Sequence, residues 1–273
     1  MISAIVVNHN GEAHLGRCLE SLAGSGAEVL VVDNASSDGS LALVQERFPQ
    51  AKVFSLNRNL GFAEANNIAA QEAQGEALLL LNNDAWLGPG AVERLTARME
   101  SESRVGLVAP SLRYPNGARQ FSWSPTRGVL GEVLQKLRNP FESRNWVHGT
   151  FARSVSRLAG RVWYTAACVL VRTDAWHTVG GFDTRFFMYF EDVDLCMRLE
   201  DAGWMLAEEP QAMVFHARGA GRAGLADELY RPSQLRYYRI HRPAWETRFI
   251  ERRLRRRFGD SLVDGWLAQG ELR

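Results

Sequence analysis

The chain has 273 residues, of which 46% are hydrophobic and 23% charged, a composition typical of a globular protein with a sizeable core. The formal net charge of +1 excludes a strong overall attraction to nucleic acid, although the arginines are concentrated near the C-terminus. The 3 cysteines stand singly, without the spacing of a zinc knuckle or a disulfide framework, and predict buried thiols in a reducing compartment.

The apolar runs predict neither secretion nor a membrane span. Residues 2–7 lack the basic region and the cleavage site of a secretion signal. Residues 77–81 are followed at once by polar residues, far short of the roughly 20 apolar residues that a membrane helix needs. We therefore expect a cytoplasmic protein.

Short apolar runs alternate with helical patterns in the first part of the chain. The predicted strands are residues 2–7, 28–33, 52–56 and 77–81. Their lack of polar alternation is typical of strands that are covered on both faces of a parallel sheet. Two of the helical patterns between them are residues 38–48 and 63–73. The alternation predicts a doubly wound α/β sheet with right-handed crossovers.

Polar residues follow each predicted strand. Ligands of such sheets bind beyond the carboxyl ends of the strands, so these residues are candidates for a binding site. One polar cluster alone is most often a turn or a helix cap, whereas four on one edge favour a ligand site. The clusters are residues 8–10, 33–37, 57–59 and 82–84.

Asp84 and His216 are the candidate metal ligands. Asp84 ends an interior strand, where a carboxylate can hold a divalent cation together with a diphosphate. Its structural alternative is the cap of a helix that starts near Pro89. His216 follows an apolar run and precedes a glycine-rich segment, and its neutral imidazole suits a divalent metal. A purely structural histidine is the commoner alternative.

Three carboxylates are crowded into the segment FFMYFEDVDLCMRL, after a strand-like run at residues 163–171. The helix dipole favours acids in a first helical turn, which explains one or two of Glu191, Asp192 and Asp194. Three acids beside aromatic residues are electrostatically costly, and such crowding tends to raise a carboxyl pKa. The segment therefore predicts a general base at the start of a helix over residues 191–202.

Six motifs carry a family resemblance. They are VVNHN, VVDNASSDGS, NLGFAEANN, LLLLNNDA, GGFDTRFFMYFEDVDLCMRL and a downstream His-x-x-Gly. In this order they resemble the family 2 inverting glycosyltransferases of the GT-A fold, most closely the bacterial rhamnosyltransferase-like branch, over residues 2–220. The resemblance implies a Rossmann-like, mostly parallel central sheet flanked by helices. We expect a nucleotide-sugar half at residues 1–110, an acceptor half at 111–225 and a basic helical C-terminal appendage at 226–273.

The resemblance also implies roles for single residues. Asp84 stands where the last acid of the family's DxD metal motif belongs and would bind Mg²⁺ or Mn²⁺, although Asn82 replaces the first acid. His216 resembles the later metal or diphosphate contact. Asp192 stands where the catalytic base belongs, and Glu191 would tune or orient it. The donor-binding residues implied are Asn8, Asp33, Asn59, Gly61, Asn67 and Asn83, with Asp33 recognising the base or ribose.

The predicted reaction is a single in-line displacement at the anomeric carbon, with inversion. The expected donor is dTDP-rhamnose, with UDP- or GDP-sugars as alternatives, and the expected acceptor is a glycan or a lipid-linked glycan. A non-catalytic nucleotide-sugar-binding module stays open, because a fold does not prove activity. A sugar nucleotidyltransferase is a further alternative, disfavoured because an early glycine-rich phosphate loop is missing from the sequence.

The C-terminal arginines interleave with apolar residues. The basic residues are Arg248, Arg252, Arg253, Arg255, Arg256 and Arg257. One interpretation is a solvated helix that packs on the domain through its apolar positions. The other is weak, salt-sensitive attachment to an anionic membrane surface. Nucleic acid is not expected as a partner, because no recognised binding motif accompanies this one cluster.

Overall fold

The computed structural model describes residues 1–125, 128–129, 131–133, 161–217 and 226–269. The strands within these ranges are β1 (Ile2–Asn8), β2 (Glu28–Asp33), β3 (Lys52–Ser55), β4 (Ala77–Asn82), β5 (Ala85–Leu87), β6 (Val105–Arg113), β7 (Trp123–Pro125), β8 (Val162–Tyr164), β9 (Cys168–Arg172) and β10 (Met205–His216). The helices are α1 (Glu12–Ser21), α2 (Ser40–Arg47), α3 (Gly61–Gln71), α4 (Ala91–Glu100), α5 (Thr173–Val179), α6 (Glu191–Asp201), α7 (Ala226–His241), α8 (Ala244–Phe258) and α9 (Asp260–Gln269).

Eight of the described strands form one twisted sheet in the order β3-β2-β1-β4-β9-β6-β10-β5. The half from β3 to β4 is entirely parallel, which confirms the predicted doubly wound arrangement. In the other half β9 runs antiparallel to both β4 and β6, and β5 runs antiparallel to β10. The sheet is therefore mixed. The remaining two described strands, β7 and β8, form a small antiparallel pair.

Both faces of the central strands are buried, which explains their continuous apolar sequences. In β4, Leu78 and Leu80 belong to one hydrophobic core, whereas Leu79 and Leu81 belong to a second core on the opposite face. Successive side chains of a strand point to opposite faces, so a strand between two cores has no position for a polar residue. Polarity therefore returns only where the strand ends, at Asn82.

The strand-like run at residues 163–171 is two strands, which corrects the prediction of one. β8 pairs with β7 in the small sheet, and β9 pairs with β4 in the central sheet. The chain turns between them, and the turn residues Thr165, Ala166 and Ala167 line a cavity of about 420 Å³. The interruption is invisible in the sequence because the turn consists largely of small apolar residues.

The C-terminal helices share the first hydrophobic core. Tyr237 and Tyr238 of α7 are fully buried in it, together with Ile250 and Leu254 of α8. The described residues 226–269 are thus helical, as predicted. The expected boundary at residue 225 lies outside the described residues and stays a prediction. No described helix is long and apolar enough to cross a membrane.

Candidate active site

The carboxyl ends of β1, β2 and β4 lie side by side. Asn8 is in register with Asp33 of β2, and Val7 is in register with Asn82 of β4. The polar clusters that follow these three strands therefore meet at one edge of the sheet, as the doubly wound pattern predicts. Three of the six sequence-predicted donor-binding residues lie at this edge, namely Asn8, Asp33 and Asn83.

Asp33 is a buried carboxylate with an unused acceptor. Its Oδ2 accepts a hydrogen bond of 3.3 Å from the backbone N–H of Ser36. Its Oδ1 is buried and has no hydrogen-bond partner among the described residues. A buried acceptor without a donor costs on the order of 1–3 kcal/mol, which a bound N–H or O–H group would recover. Asp33 is therefore poised to accept from a ligand.

Asn8 holds the strand ends together. Its side chain is fully buried and donates to Ser36 Oγ over 3.1 Å, while its Oδ1 accepts from Asn83 Nδ2 over 2.7 Å. These bonds join the loops after β1, β2 and β4. They account for the positions of Asn8 and Asn83, and a direct contact of either with a donor stays a prediction.

Asn34 is a structural residue that the sequence analysis did not single out. It is buried, its Oδ1 accepts from the backbone N–H of Leu60 over 2.8 Å, and its Nδ2 donates to the carbonyl of Gly61 over 3.0 Å. Asn59 Oδ1 in turn accepts from the Gly61 N–H over 2.9 Å. Asn34 belongs to the predicted polar cluster 33–37, so the sequence predicts its place at the sheet edge but not its structural role.

Gly61 allows α3 to approach the aromatic segment before α6. Its φ is +85°, and a Cβ built there would lie 2.3 Å from the carbonyl oxygen of Phe187. The next residue, Phe62, donates its backbone N–H to that same carbonyl over 2.8 Å. Any other residue would be both strained and overlapping here. Gly61 therefore couples the predicted donor region to the segment that carries the carboxylates.

Asn67 fastens the same two regions. Its Nδ2 donates to the Phe182 carbonyl over 2.8 Å, and its Oδ1 accepts from the Phe182 N–H over 2.9 Å. The side-chain amide of Asn67 therefore pairs with both backbone polar groups of Phe182, as a neighbouring strand would. These two bonds fix the turn that leads into the aromatic residues before α6. A contact of Asn67 with a donor stays a prediction.

Asp84 and His216 are brought together by strand pairing. Ala85 of β5 is in register with His216 of β10, and the Asp84 carbonyl accepts from the Ala217 N–H over 2.9 Å. Asp84 Oδ1 lies 3.2 Å from His216 Nε2. Helix α4 begins only at Ala91, after β5 has intervened, so Asp84 does not cap it.

Gln120 orients the imidazole of His216. Its Oε1 lies 2.8 Å from His216 Nδ1 and can accept only from a protonated Nδ1. Gln120 is buried, and no sequence motif marks it. This arrangement resembles the outer partner that commonly fixes the tautomer of a metal-binding histidine.

The Asp84 and His216 pair fits a divalent cation. Asp84 Oδ1 and His216 Nε2 are 3.2 Å apart, and carboxylate oxygens and imidazole nitrogens are both common ligands of divalent cations. This separation would allow both atoms to bind the same cation. The described residues contain no cluster of three or more His, Cys, Asp or Glu side chains suited to a metal. Among the described residues, Asp84 and His216 would thus supply two of the ligands that such a cation needs.

A cavity of about 420 Å³ connects His216 to the acids of α6. Its residues combine an aromatic wall with polar groups from both halves of the sheet. They include Phe62, Asn82, Trp163, Tyr189, Phe190, Glu191, Asp192, His216 and Tyr230. Tyr189 and Phe190 have φ of +69° and +70°, an uncommon conformation for residues with a side chain. Strained backbone of this kind is concentrated at functional sites.

Glu191 and Asp192 start α6 and both line the cavity. Asp192 Oδ2 accepts from the Ala166 N–H over 3.3 Å, and its Oδ1 accepts from the Val193 N–H over 2.8 Å. Glu191 is buried, and its Oε2 has no partner among the described residues. Burial, followed by repulsion from Asp192, raises the pKa of Glu191 well above its ordinary value. Glu191 therefore holds its proton more strongly than an exposed glutamate does, beside the oriented carboxylate of Asp192.

The third acid, Asp194, has a structural role. It is 1% exposed, and its carboxylate binds Arg198 Nε at 2.7 Å and His241 Nε2 at 2.7 Å. His241 is the last residue of α7, so this hydrogen bond fastens the C-terminal helices to α6. Asp194 is therefore fully engaged away from the cavity, in agreement with the structural interpretation of one acid in this cluster.

Replacing Glu191 with glutamine is expected to stabilise the protein at neutral pH. Because the pKa of Glu191 is raised in the folded state, the unfolded carboxyl ionises first as the pH increases past its ordinary value of 4.5. Below pH 4.5 the carboxyl is protonated in both states, and its full contribution to the free energy of unfolding is present. As the pH rises from 4.5 towards the pKa of the folded state, this contribution is lost, at up to about 1.4 kcal/mol per pH unit. Glutamine does not ionise and keeps this stability.

Urea unfolding of the wild type and of Glu191→Gln at pH 5 and pH 7.5 measures the effect. The advantage of the variant should grow with pH. The control is Glu93→Gln, which removes an exposed carboxylate of α4. An advantage that is equal at both pH values, or one that the control shares, would contradict the buried neutral state of Glu191.

Comparison with known proteins gives a consistent result. A family model described as glycosyl transferase family 2 matches residues 3–167. The chain is 35% identical over 243 residues to the N-acetylglucosaminyl-diphospho-decaprenol L-rhamnosyltransferase of Mycobacterium tuberculosis, covering 81% of this chain and 78% of that protein. It is 46% identical over 234 residues to rhamnosyltransferase WbbL of Escherichia coli, covering 80% and 82% respectively.

Solved structures share the fold. The mannosyltransferase PcManGT of Pyrobaculum calidifontis, in complex with GDP-Man and Mn²⁺, matches with a TM-score of 0.62 at 15% identity, over 98% of this chain and 73% of that one. GalNAc-T7 with UDP, GalNAc and Mn²⁺ matches with a TM-score of 0.57 at 16% identity, over 79% and 43%. These likenesses confirm the predicted GT-A architecture, and both neighbours were solved with Mn²⁺.

Proposed function

The chain belongs to glycosyl transferase family 2, and we propose that it transfers L-rhamnose from dTDP-rhamnose to a hydroxyl of a lipid-linked glycan. The acceptor that its relatives favour is an N-acetylglucosaminyl-diphospho-polyprenol, since the mycobacterial relative is named for that substrate. The observation that carries the proposal is the single cavity that contains both His216, beside Asp84, and the oriented carboxylate of Asp192.

Asp33 supports a pyrimidine nucleotide. Its buried, unpartnered Oδ1 can accept from the imide N–H of thymine or uracil. The two bases present the same imide, so this contact serves dTDP- and UDP-sugars alike. The preference for thymidine therefore rests on the rhamnosyltransferase relatives.

Asp84 and His216 would hold Mg²⁺ or Mn²⁺ together with the diphosphate of the donor. The cation, when bound, would supply the counter-charge for the departing nucleotide diphosphate. Gln120 would keep His216 in the tautomer that presents Nε2 to the site. Asn82, in place of a first acid, leaves Asp84 as the carboxylate ligand in this run of polar residues.

Asp192 would act as the general base. Its two backbone N–H contacts hold it at the cavity, where it would take the proton of the acceptor hydroxyl during in-line attack on the anomeric carbon. A single displacement inverts the anomeric configuration and needs no covalent intermediate. The raised pKa of Glu191 favours its protonated form, which would donate a hydrogen bond that orients Asp192 or the acceptor. The aromatic wall would exclude water from the donor.

Thermal shift with a panel of nucleotide sugars tests donor recognition. At about 100 times its Kd, a ligand stabilises the folded state by roughly 2.7 kcal/mol, which raises the Tm of a chain of this size by on the order of 5 °C. With Mn²⁺ present we expect dTDP-rhamnose to give the largest shift and Asp33→Ala to reduce it. The matched control is Asp174→Ala, which removes an exposed carboxylate of α5. A larger shift with a GDP-sugar would contradict the proposed donor.

A further inference from the structure

Helix α8 presents aromatic residues to solvent. Trp245 is 62% exposed and Phe249 is 51% exposed, although both belong to a helix whose other face is buried. Ile250 and Leu254 form that inner face, at 2% and 4% exposure. The apolar inner positions therefore account for how the helix packs on the domain, and they leave the outward Trp245 and Phe249 unexplained.

Arginines surround these two aromatic residues on the outer face. Arg248, Arg252, Arg253 and Arg256 are all exposed and lie within one or two helical turns of Trp245 or Phe249. Within the described residues, these four arginines take part in no ion pair. Arg255 on the same helix behaves differently, because it binds Glu251, Asp260 and Asp264. The outer face thus keeps its positive charge.

The neighbouring helices also carry exposed apolar residues. Ile240, near the end of α7, is 38% exposed, and Leu262 of α9 is 48% exposed. The large hydrophobic residues that are exposed in the described part of the chain are Met1, Val133, Ile240, Trp245, Phe249 and Leu262. Four of these six lie on the three C-terminal helices, which is an uneven distribution for a surface without a partner.

We propose that the outer face of α8 binds the surface of an anionic lipid bilayer. Exposed tryptophan and phenylalanine between arginines are suited to the boundary between lipid headgroups and acyl chains, where the rings insert and the guanidinium groups meet phosphates. A second copy of the chain would oppose one basic face with another. A nucleic acid would explain the positive charge of this face. It would not explain the exposure of Trp245 and Phe249, which form a single small aromatic cluster without a recognised nucleic-acid-binding motif.

Flotation of the full chain with phosphatidylcholine vesicles, with and without phosphatidylglycerol, tests this surface. We expect binding only to the vesicles that contain phosphatidylglycerol, and we expect it to be lost at high salt. Arg252→Gln/Arg256→Gln should lower the partition coefficient on the order of 30-fold, because each arginine near an anionic leaflet contributes about fivefold. The double variant Trp245→Ser/Phe249→Ser should lower the partition coefficient at both low and intermediate salt.

The matched control is Arg94→Gln/Arg104→Gln, which removes the same charge from exposed positions outside the C-terminal helices. This control should bind vesicles like the wild type. A wild type that fails to float at low salt, or a control that loses binding as strongly as the α8 variants, would overturn the proposal. Binding to a DNA duplex in place of vesicles would do so as well. The readout needs no sugar transfer, so it is independent of the proposed reaction.

Discussion

Asp192→Asn is expected to lower the rate of sugar transfer by about 10²- to 10⁴-fold, the usual effect of removing a general base. The amide has the same shape but accepts no proton from the acceptor hydroxyl. Binding of the nucleotide sugar should change little, because Asp33 and the Asp84 and His216 pair lie at other parts of the site. The expected signature is therefore a loss in kcat with a nearly unchanged donor Kd.

The control for this change is Asp201→Asn, at the last turn of the same helix, where the carboxylate pairs on the surface with Arg161. It should transfer sugar at nearly the wild-type rate. If Glu191→Gln proved the more damaging change and Asp192→Asn were mild, the roles of the two acids would have to be exchanged.

Asp84→Asn is expected to reduce transfer on the order of 10³-fold and to remove most of its dependence on added Mg²⁺ or Mn²⁺. The amide cannot supply the negative charge that holds the cation beside His216, so the departing diphosphate would lose its counter-charge. Donor affinity in the presence of Mn²⁺ should fall together with the rate, unlike in Asp192→Asn.

Asp174→Asn serves as the control, because it makes the same replacement at an exposed position of α5. Treatment of the wild type with excess chelator should reproduce the effect of Asp84→Asn. Undiminished turnover of the chelated enzyme would contradict a role of Asp84 in metal binding and would leave its contact with His216 as a structural one.

The parallel half of the sheet could be predicted because its strands are buried on both faces. Their apolar runs have no polar alternation, and the polar residues mark each carboxyl end, from Asn8 to Asn82. The other half, in which β6 and β10 are parallel but β9 and β5 are antiparallel to their neighbours, carries no equivalent signal. β9 has the same kind of apolar sequence as β4 although it runs in the opposite direction, and β5 is only 3 residues long.

The residues of the candidate site were easier to predict from the sequence than the contacts between them. The crowding of Glu191, Asp192 and Asp194 marked the start of α6, but the sequence does not distinguish acids of one turn from each other. Asp194 is set apart by His241, its hydrogen-bond partner 47 positions away. That partnership depends on how α7 packs, which no local pattern encodes.

Gln120 and Asn34 illustrate the same limit. Neither is a catalytic residue type in a recognisable motif, and each matters through a neighbour that the fold supplies. Gln120 contacts His216 across 96 positions of the chain, and Asn34 reaches Gly61 across 27. The family resemblance marked the residues proposed to contact substrates more readily than those that hold them in place.

The central claim is rhamnosyl transfer with inversion. Its most direct test is to incubate the protein with dTDP-rhamnose, Mn²⁺ and an N-acetylglucosaminyl-diphospho-polyprenol, and to determine the product by mass spectrometry and the anomeric configuration by NMR. We expect one added deoxyhexose in the configuration opposite to that of the donor, formed about 10²- to 10⁴-fold more slowly by Asp192→Asn. Transfer from another sugar nucleotide in preference to dTDP-rhamnose, or a product that retains the donor's configuration, would contradict the account.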